Sequence, residues 1–256
     1  MKRIAIITGA SSGLGKGFAE AIENEMTLDE IWLIARRKER LQEVAGKLAA
    51  KAIPLALDLA KEEGLQRFHE RLQAEEVDIL CLVNAAGFGK IGDIKDEPLQ
   101  EASDMINLNC RALAQITRDC LPHMKKGAWI IQIASIAAFQ PMPGLAVYAA
   151  SKAFVESYAK ALHEEIRKDG IHVTCLCPYW VTDTEFIPVA SAENKTDYKR
   201  TPFATKTTQV VAEAIKAARN NRLTCTPGVV STFLKYSTKI IPDGLLIKIF
   251  NLYRKL

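Results

Sequence analysis

Short apolar runs alternate with amphipathic patterns along the whole chain, and this alternation restricts the possible folds more than any other feature. The runs lie at Ile4–Ile7, Ile31–Ala35, Ile53–Leu57, Ile79–Val83, Trp129–Ala134 and Val173–Cys177, with a shorter one at Leu223–Cys225. Between them, helical patterns occupy Lys38–Lys51, Lys61–Glu75, Leu99–Met124 and Val147–Lys168. Continuous apolar runs suit strands buried on both faces, and strands alternating with helices build a parallel sheet covered on both sides. Its connections are right-handed, and its working crevice lies at the carboxyl ends of the strands. No internal repeat or low-complexity segment interrupts the pattern, so residues 1–256 read as a single α/β domain.

The first run feeds directly into Thr8-Gly9-Ala10-Ser11-Ser12-Gly13-Leu14-Gly15, followed by a helical pattern at Phe18, Ala19 and Ile22. Glycines let a backbone approach a pyrophosphate closely, and the free amides of a first helical turn bind it. The spacing is Gly-x-x-x-Gly-x-Gly, which differs from the common dinucleotide fingerprint. A glycine cluster alone can be no more than a tight turn. Placed between a buried strand and a helix, it reads as a phosphate site. Two further segments, Asn84 to Gly92 and Ser135 to Gly144, also follow strands and are expected to converge on the same edge.

Tyr148-Ala149-Ala150-Ser151-Lys152 places a phenol and an ammonium one helical turn apart, with Ser135 thirteen residues before the tyrosine. A free tyrosine titrates near pH 10 and a nearby cation lowers that value. The pair reads as a general acid and base, with the serine hydroxyl as a second donor to a substrate oxygen. Tyr-x-x-x-Lys by itself also occurs on ordinary solvated helix faces, so its weight comes from the glycine turn that accompanies it. The second strand ends Ala35-Arg36-Arg37, without the carboxylate that would bind ribose hydroxyls. Two guanidinium groups there suit a 2′-phosphate, which favours NADPH over NADH.

Together, Thr8 to Gly15, Asp58, Asn84-Ala85-Ala86-Gly87, Asn109, Ser135, Tyr148 and Lys152 resemble, in order and approximate spacing, the motifs of the short-chain dehydrogenase/reductase family. The resemblance covers nearly the whole chain and implies a Rossmann-type, doubly wound parallel sheet. It implies a catalytic set of Asn109, Ser135, Tyr148 and Lys152. Tyr148 would exchange a proton with the substrate oxygen, Ser135 would orient that oxygen, and Lys152 would tune the phenol and bind the nicotinamide ribose. Asn109, preferred to Asn107, would hold a water that relays protons to the lysine. The implied cofactor set is Gly9, Ser11, Ser12, Gly13, Leu14, Gly15, Arg36, Arg37, Asp58, Leu59, Asn84, Ala85, Gly87, Tyr148, Lys152, Pro178, Val181, Thr182 and Thr184. Asp58 would bind the adenine ring, with a plain strand-end cap as the second reading of that residue.

One departure bears on the substrate. Where most relatives carry proline and then glycine, this chain has Pro178-Tyr179-Trp180-Val181. The threonine that usually contacts the nicotinamide carboxamide falls near Asp183, leaving Thr182 and Thr184 as alternatives. Pro-Tyr-aromatic-Val resembles the branch of type 3 and type 12 17β-hydroxysteroid dehydrogenases, which implies a hydrophobic ketone or alcohol substrate, steroid-like first. A 3-oxoacyl thioester reductase of lipid metabolism is the alternative. A non-catalytic NADP(H) sensor is the rival of a different class. The polar stretch at about 184–206, with Lys195, Lys199 and Arg200, reads as a substrate lid.

Composition sets the remaining bounds. A hydrophobic fraction of 48% and a charged fraction of 25% suit a soluble chain with a sizeable core. The net charge of +4 comes without a polybasic block, so nucleic acid is not an expected partner, and no apolar run reaches the length of a membrane span. The six cysteines and four histidines show no metal-ligand spacing; no metal is expected, and the thiols are expected to be reduced and mostly buried, in the cytoplasm. Cys175 and Cys177 are expected on opposite faces of their strand. Leu245, Leu246, Ile249, Phe250 and Tyr253 form an apolar stripe in a C-terminal helical extension at about 240–256. Core or subunit packing is its first reading, a substrate wall its second and a peripheral membrane contact its third. The resemblance implies a homodimer or homotetramer.

Overall fold

Alternate residues of the first strand, β1 (Lys2–Thr8), face opposite layers, and this sets the plan of the computed structural model, which describes residues 1–191 and 203–255. Ile4 and Ile6 point into one core and Ala5 and Ile7 into the other, and all four are fully buried. A strand with two apolar faces needs a layer on each side. The other strands are β2 (Glu30–Ala35), β3 (Ala52–Ala56), β4 (Val77–Asn84), β5 (Trp129–Ile133), β6 (His172–Leu176) and β7 (Thr224–Cys225). They form one parallel seven-stranded sheet in the order β3-β2-β1-β4-β5-β6-β7. The order reverses between β1 and β4, which opens the crevice there.

Among the described residues, ten α-helices connect or flank the strands: α1 (Gly13–Ile22), α2 (Lys38–Ala45), α3 (Glu62–Gln73), α4 (Leu99–Ile106), α5 (Leu113–Cys120), α6 (Ala146–Glu165), α7 (Phe186–Ala190), α8 (Thr207–Arg219), α9 (Gly228–Ser237) and α10 (Asp243–Lys255). One core packs Phe68 and Leu72 of α3 and Val155 and Ala159 of α6 against the sheet. The other packs Phe18 and Ile22 of α1, Leu41 of α2 and Val210 and Ala214 of α8. The Rossmann-type architecture read from the sequence is the one observed.

Three local features differ from expectation. The helix expected over Lys38–Lys51 stops at Ala45, because Gly46 caps it and Lys51 already leads into β3. The helix expected over Leu99–Met124 is interrupted by a π-helical turn at Asn107–Ala112, between α4 and α5. Cys175 and Cys177 lie on the same face, with their sulfurs 3.6 Å apart, because side chains two apart on a strand share a face.

Buried polar groups join the central strands. Thr117 of α5 donates to Leu113 O at 2.7 Å and accepts from Asn84 Nδ2 at 3.0 Å and Gln132 Nε2 at 2.9 Å. Asn84 also donates to Gln132 Oε1 at 3.1 Å. Asn84, expected at the cofactor, thus spends its amide on holding β4, β5 and α5 together. Replacing Thr117 with valine leaves the Gln132 donor and one Asn84 contact without an acceptor. T117V should lower the unfolding free energy by about 1–3 kcal/mol in urea titration. An unchanged midpoint would show that this network does not stabilise the sheet.

Candidate active site

Helix α6 carries three of the residues that meet in the crevice. Tyr148 and Lys152 are one turn apart and buried, 8% and 5% exposed. Lys152 Nζ lies 5.7 Å from the phenol ring centroid and donates to Ile133 O, at the end of β5, at 2.8 Å. Ser135 follows β5 in extended backbone and caps a short 3-10 turn, its hydroxyl accepting from Ala137 N at 3.1 Å. The tyrosine, lysine and serine singled out from the sequence are therefore brought together by α6 and the end of β5.

Their protonation differs from the expectation. Burial pushes Tyr148 up to about 12, a rise that the neighbouring Ser135 hydroxyl opposes. Burial also pulls Lys152 down to about 8. The expected lowering of the phenol by the ammonium is absent, because desolvation penalises both charged forms and dominates. At neutral pH the tyrosine therefore holds its proton, the form needed to protonate a carbonyl oxygen.

Asn109 sits on the π-helical turn and is 1% exposed. Its amide donates to Phe88 O at 2.9 Å and to Ser151 Oγ at 3.0 Å, while its Oδ1 accepts from Phe88 N at 3.2 Å. Ser151 in turn donates to Tyr148 O at 2.7 Å. The extra residue of the π turn places Asn109, rather than the partly exposed Asn107, in the crevice. A Cβ added at Gly87 would lie 2.9 Å from Asn109 Oδ1 and 3.4 Å from Lys152 Nζ, so the loop after β4 closes directly over this pair. Ser151 was not foreseen; its place between Tyr148 and Lys152 was the only signal.

Across the crevice, Gly9 has φ +68, and a Cβ there would lie 2.7 Å from the Ala85 carbonyl. A Cβ at Gly15 would lie 2.3 Å from Gly9 O. Only glycine permits this close approach. Helix α1 begins at Gly13 without a side-chain cap and without an acid in its first turn, so its leading amides suit an anion. Arg37 Nη2 donates to Ser11 Oγ at 3.3 Å and Ser12 Oγ at 3.1 Å. A glycine cradle, two hydroxyls, uncapped amides and a guanidinium fit a phosphorylated dinucleotide.

The arginine expectation needs one correction. Both arginines are exposed; Arg37 reaches the turn, whereas the charge of Arg36 acts on Asp104. Arg40, one helical turn after Arg37, is the second guanidinium beside the crevice; both bind Glu185, Arg37 at 2.8 Å. Those hydrogen bonds hold the Glu185 carboxyl down at about 2. Asp58 Oδ1 accepts from Ala60 N at 3.1 Å, the strand-end cap weighed for it. Leu59 packs its side chain into the core.

The chain after β6 crosses the same edge. Pro178 O accepts from Ile136 N at 3.1 Å, and Val181 bridges to Thr205. Asp183 caps α8, accepting from Thr207 N at 2.8 Å and Thr207 Oγ1 at 2.9 Å. Thr182 N binds Thr205 O, while Thr184 lies 3.4 Å from a Cβ built on Gly13. Thr184 is therefore the threonine nearer the glycine turn. Tyr148 and Phe186 pack as tilted rings with centroids 5.2 Å apart, and Trp180 lies 6.5 Å from Phe186. With Ile91, Met142, Leu145 and Phe250 of α10, they form an apolar wall. Lys195, Lys199 and Arg200 of the expected lid lie outside the described residues. Among the described residues no helix is long and apolar enough to cross a membrane, and no cluster could hold a metal ion.

The short chain dehydrogenase family profile matches residues 3–195. The chain belongs to the short-chain dehydrogenase family. A very-long-chain 3-oxoacyl-CoA reductase of Phaeosphaeria nodorum is 31% identical over 188 residues, 70% of this chain and 54% of that protein. A reductase of the same name from Rattus norvegicus is 30% identical over 240 residues, 86% of this chain and 75% of that protein. This family member thus spans little more than half the length of several curated relatives. A short-chain dehydrogenase from Sphingobium yanoikuyae in complex with NADPH superposes with a TM-score of 0.80 at 26% identity, covering 95% of each chain.

Lys152 gives this short-chain dehydrogenase a pH signature. Its folded value of about 8 lies below the ordinary 10.5, so burying the ammonium opposes folding at neutral pH. That penalty is complete below pH 8 and fades as pH rises towards 10.5. K152M should be more stable than the wild type at pH 7 by up to about 3 kcal/mol, with the gap closing above pH 8. Denaturant titrations across pH check this; a gap independent of pH would contradict it.

Proposed function

We propose that this chain is an NADP(H)-dependent reductase that converts the ketone of a 3-oxoacyl thioester to a secondary alcohol. The observation that carries the chemistry is the buried Tyr148, protonated at neutral pH and flanked by Ser135 and Lys152. Bound in the crevice, the nicotinamide supplies hydride for the carbonyl carbon. Tyr148 gives its proton to the carbonyl oxygen, and Ser135 donates a hydrogen bond that orients it. Lys152, anchored on Ile133 O, holds the ribose and replaces the proton through water positioned beside Asn109. Gly9, Ser11, Ser12, Gly13, Leu14 and Gly15 cradle the pyrophosphate. Arg37 and Arg40, paired with Glu185, would hold the 2′-phosphate. Thr184 serves the carboxamide, and the backbone near Asp58 serves the adenine.

The thioester substrate is favoured by the curated relatives named as very-long-chain 3-oxoacyl-CoA reductases, and NADP(H) by the NADPH complex of the Sphingobium protein. The steroid-like ketone of the type 3 and type 12 branch, placed first from the sequence, becomes the second reading. It retains support from the apolar wall of Trp180, Phe186 and Phe250. A non-catalytic sensor has no need of the intact Ser135, Tyr148 and Lys152.

Turnover of NADPH with 3-oxoacyl-CoA esters, set against steroid ketones, tests the substrate. Thioester reduction by the wild type and its loss by at least about a hundredfold in Y148F, with NADPH binding retained, is the expected result. Full activity of Y148F would overturn the acid–base role, and turnover of steroids alone would overturn the thioester assignment. R37A/R40A should weaken NADPH by more than tenfold, on the order of one lost charge-assisted pair, and leave NADH nearly unchanged. Equal losses for both cofactors would refute the phosphate assignment.

A further inference from the structure

The C-terminal helices have two unlike faces. Inward, Leu246 and Phe250 of α10 are buried, and Phe250 packs in the cluster that holds Tyr148. Outward, α9 exposes Val229, Phe233 and Tyr236 at helical spacing, and α10 exposes Leu245, Ile249 and Leu252 in the same way. Ile240, in the link between them, is 83% exposed. Half of the large hydrophobic side chains exposed among the described residues belong to this short stretch. Isolated exposed apolar residues are ordinary, but periodic rows on consecutive helices are not.

Charge is concentrated in the same segment. Residues 227–256 contain Lys235, Lys239, Lys248, Arg254 and Lys255 against a single acid, Asp243, a net charge of +4. The whole chain also carries +4, so the preceding residues balance, with 29 basic and 29 acidic side chains left from 34 and 30. Lys239 and Lys248 are exposed. An amphipathic helix pair with outward apolar rows and a purely local cationic excess matches a surface that is apolar beneath and anionic above. A symmetric contact between two copies would instead bring two such cationic segments together.

We propose that the outer face of α9 and α10 docks this protein on an anionic phospholipid surface. The contact is peripheral, with Phe233, Ile240 and Ile249 entering the headgroup boundary and the lysines meeting the phosphates. It sets the helix whose inner side carries Phe250 between the lipid and the apolar wall beside Tyr148. Resting on the proposed reductase function, it makes membrane-dissolved long-chain acyl thioesters the substrates presented to the crevice.

Co-sedimentation with phosphatidylcholine vesicles, and with vesicles of equal parts phosphatidylcholine and phosphatidylglycerol, tests the docking. The expected result is binding to the mixed vesicles, weakened by salt, with little binding to phosphatidylcholine alone. K239Q/K248Q should reduce partitioning by about thirtyfold, at the affinity expected for each lysine near such a surface. F233S/I249S should abolish partitioning while reduction of a short, soluble 3-oxoacyl-CoA stays at the wild-type rate. Equal binding to both vesicle types, or to neither, overturns the proposal, as does self-association in sedimentation equilibrium that F233S/I249S abolishes. Lost docking with retained turnover leaves the reductase function standing; absent turnover with intact vesicle binding removes that function alone.

Discussion

The pairing of β1 with β4 is the constraint on which everything else depends. Strand order reverses at this seam, so the chain leaves β1 and β4 towards opposite layers and a crevice remains between them. The turn after β1 presses against the loop after β4, with Gly9 in contact with the Ala85 backbone. Thr8 locks the two further, its hydroxyl accepting from Ala86 N at 3.0 Å. A side chain at Gly9 would force the glycine turn away from the loop that covers Lys152. The glycine turn and Tyr148 are thereby kept in one frame, although some 140 residues separate them in sequence.

Burial then decides the chemistry. In water a phenol and an ammonium four residues apart on a helix would differ little from their free values. Beneath the loop after β4, desolvation keeps the phenol neutral and brings the lysine near neutral pH. The hydrogen bond to Ile133 O holds Lys152 in place, and Ser151 links the backbone of Tyr148 to Asn109. Tyr148, Lys152 and Asn109 therefore rest on one rigid scaffold, which favours a defined geometry over a mobile one.

Much of this was legible in the sequence because the signals were local. Apolar runs gave the seven strands of the described residues, and the Tyr148–Lys152 spacing gave the buried face of α6 that carries both side chains. What escaped depended on contacts between distant segments. The π-helical turn at Asn107–Ala112 leaves no mark in apolar periodicity, so α4 and α5 read as one helix. Arg40 gained meaning only when Glu185 came beside it from the far end of the sheet. The bonds from Asn84 Nδ2 to Thr117 and Gln132 join segments too far apart in sequence to be read from it. A sequence displays the charge of Lys152 beside Tyr148 but hides the burial that pushes the phenol up.

The central claim is that burial, rather than the ammonium, sets the protonation of the Tyr148–Lys152 pair in the free protein. Nuclear magnetic resonance titration of ring-labelled tyrosine, with Tyr148 assigned by comparison with Y148F, measures this directly. The account predicts that Tyr148 stays protonated beyond the ordinary value of 10, towards about 12. A phenol that ionises well below 10 would contradict it and return the dominant role to the lysine charge.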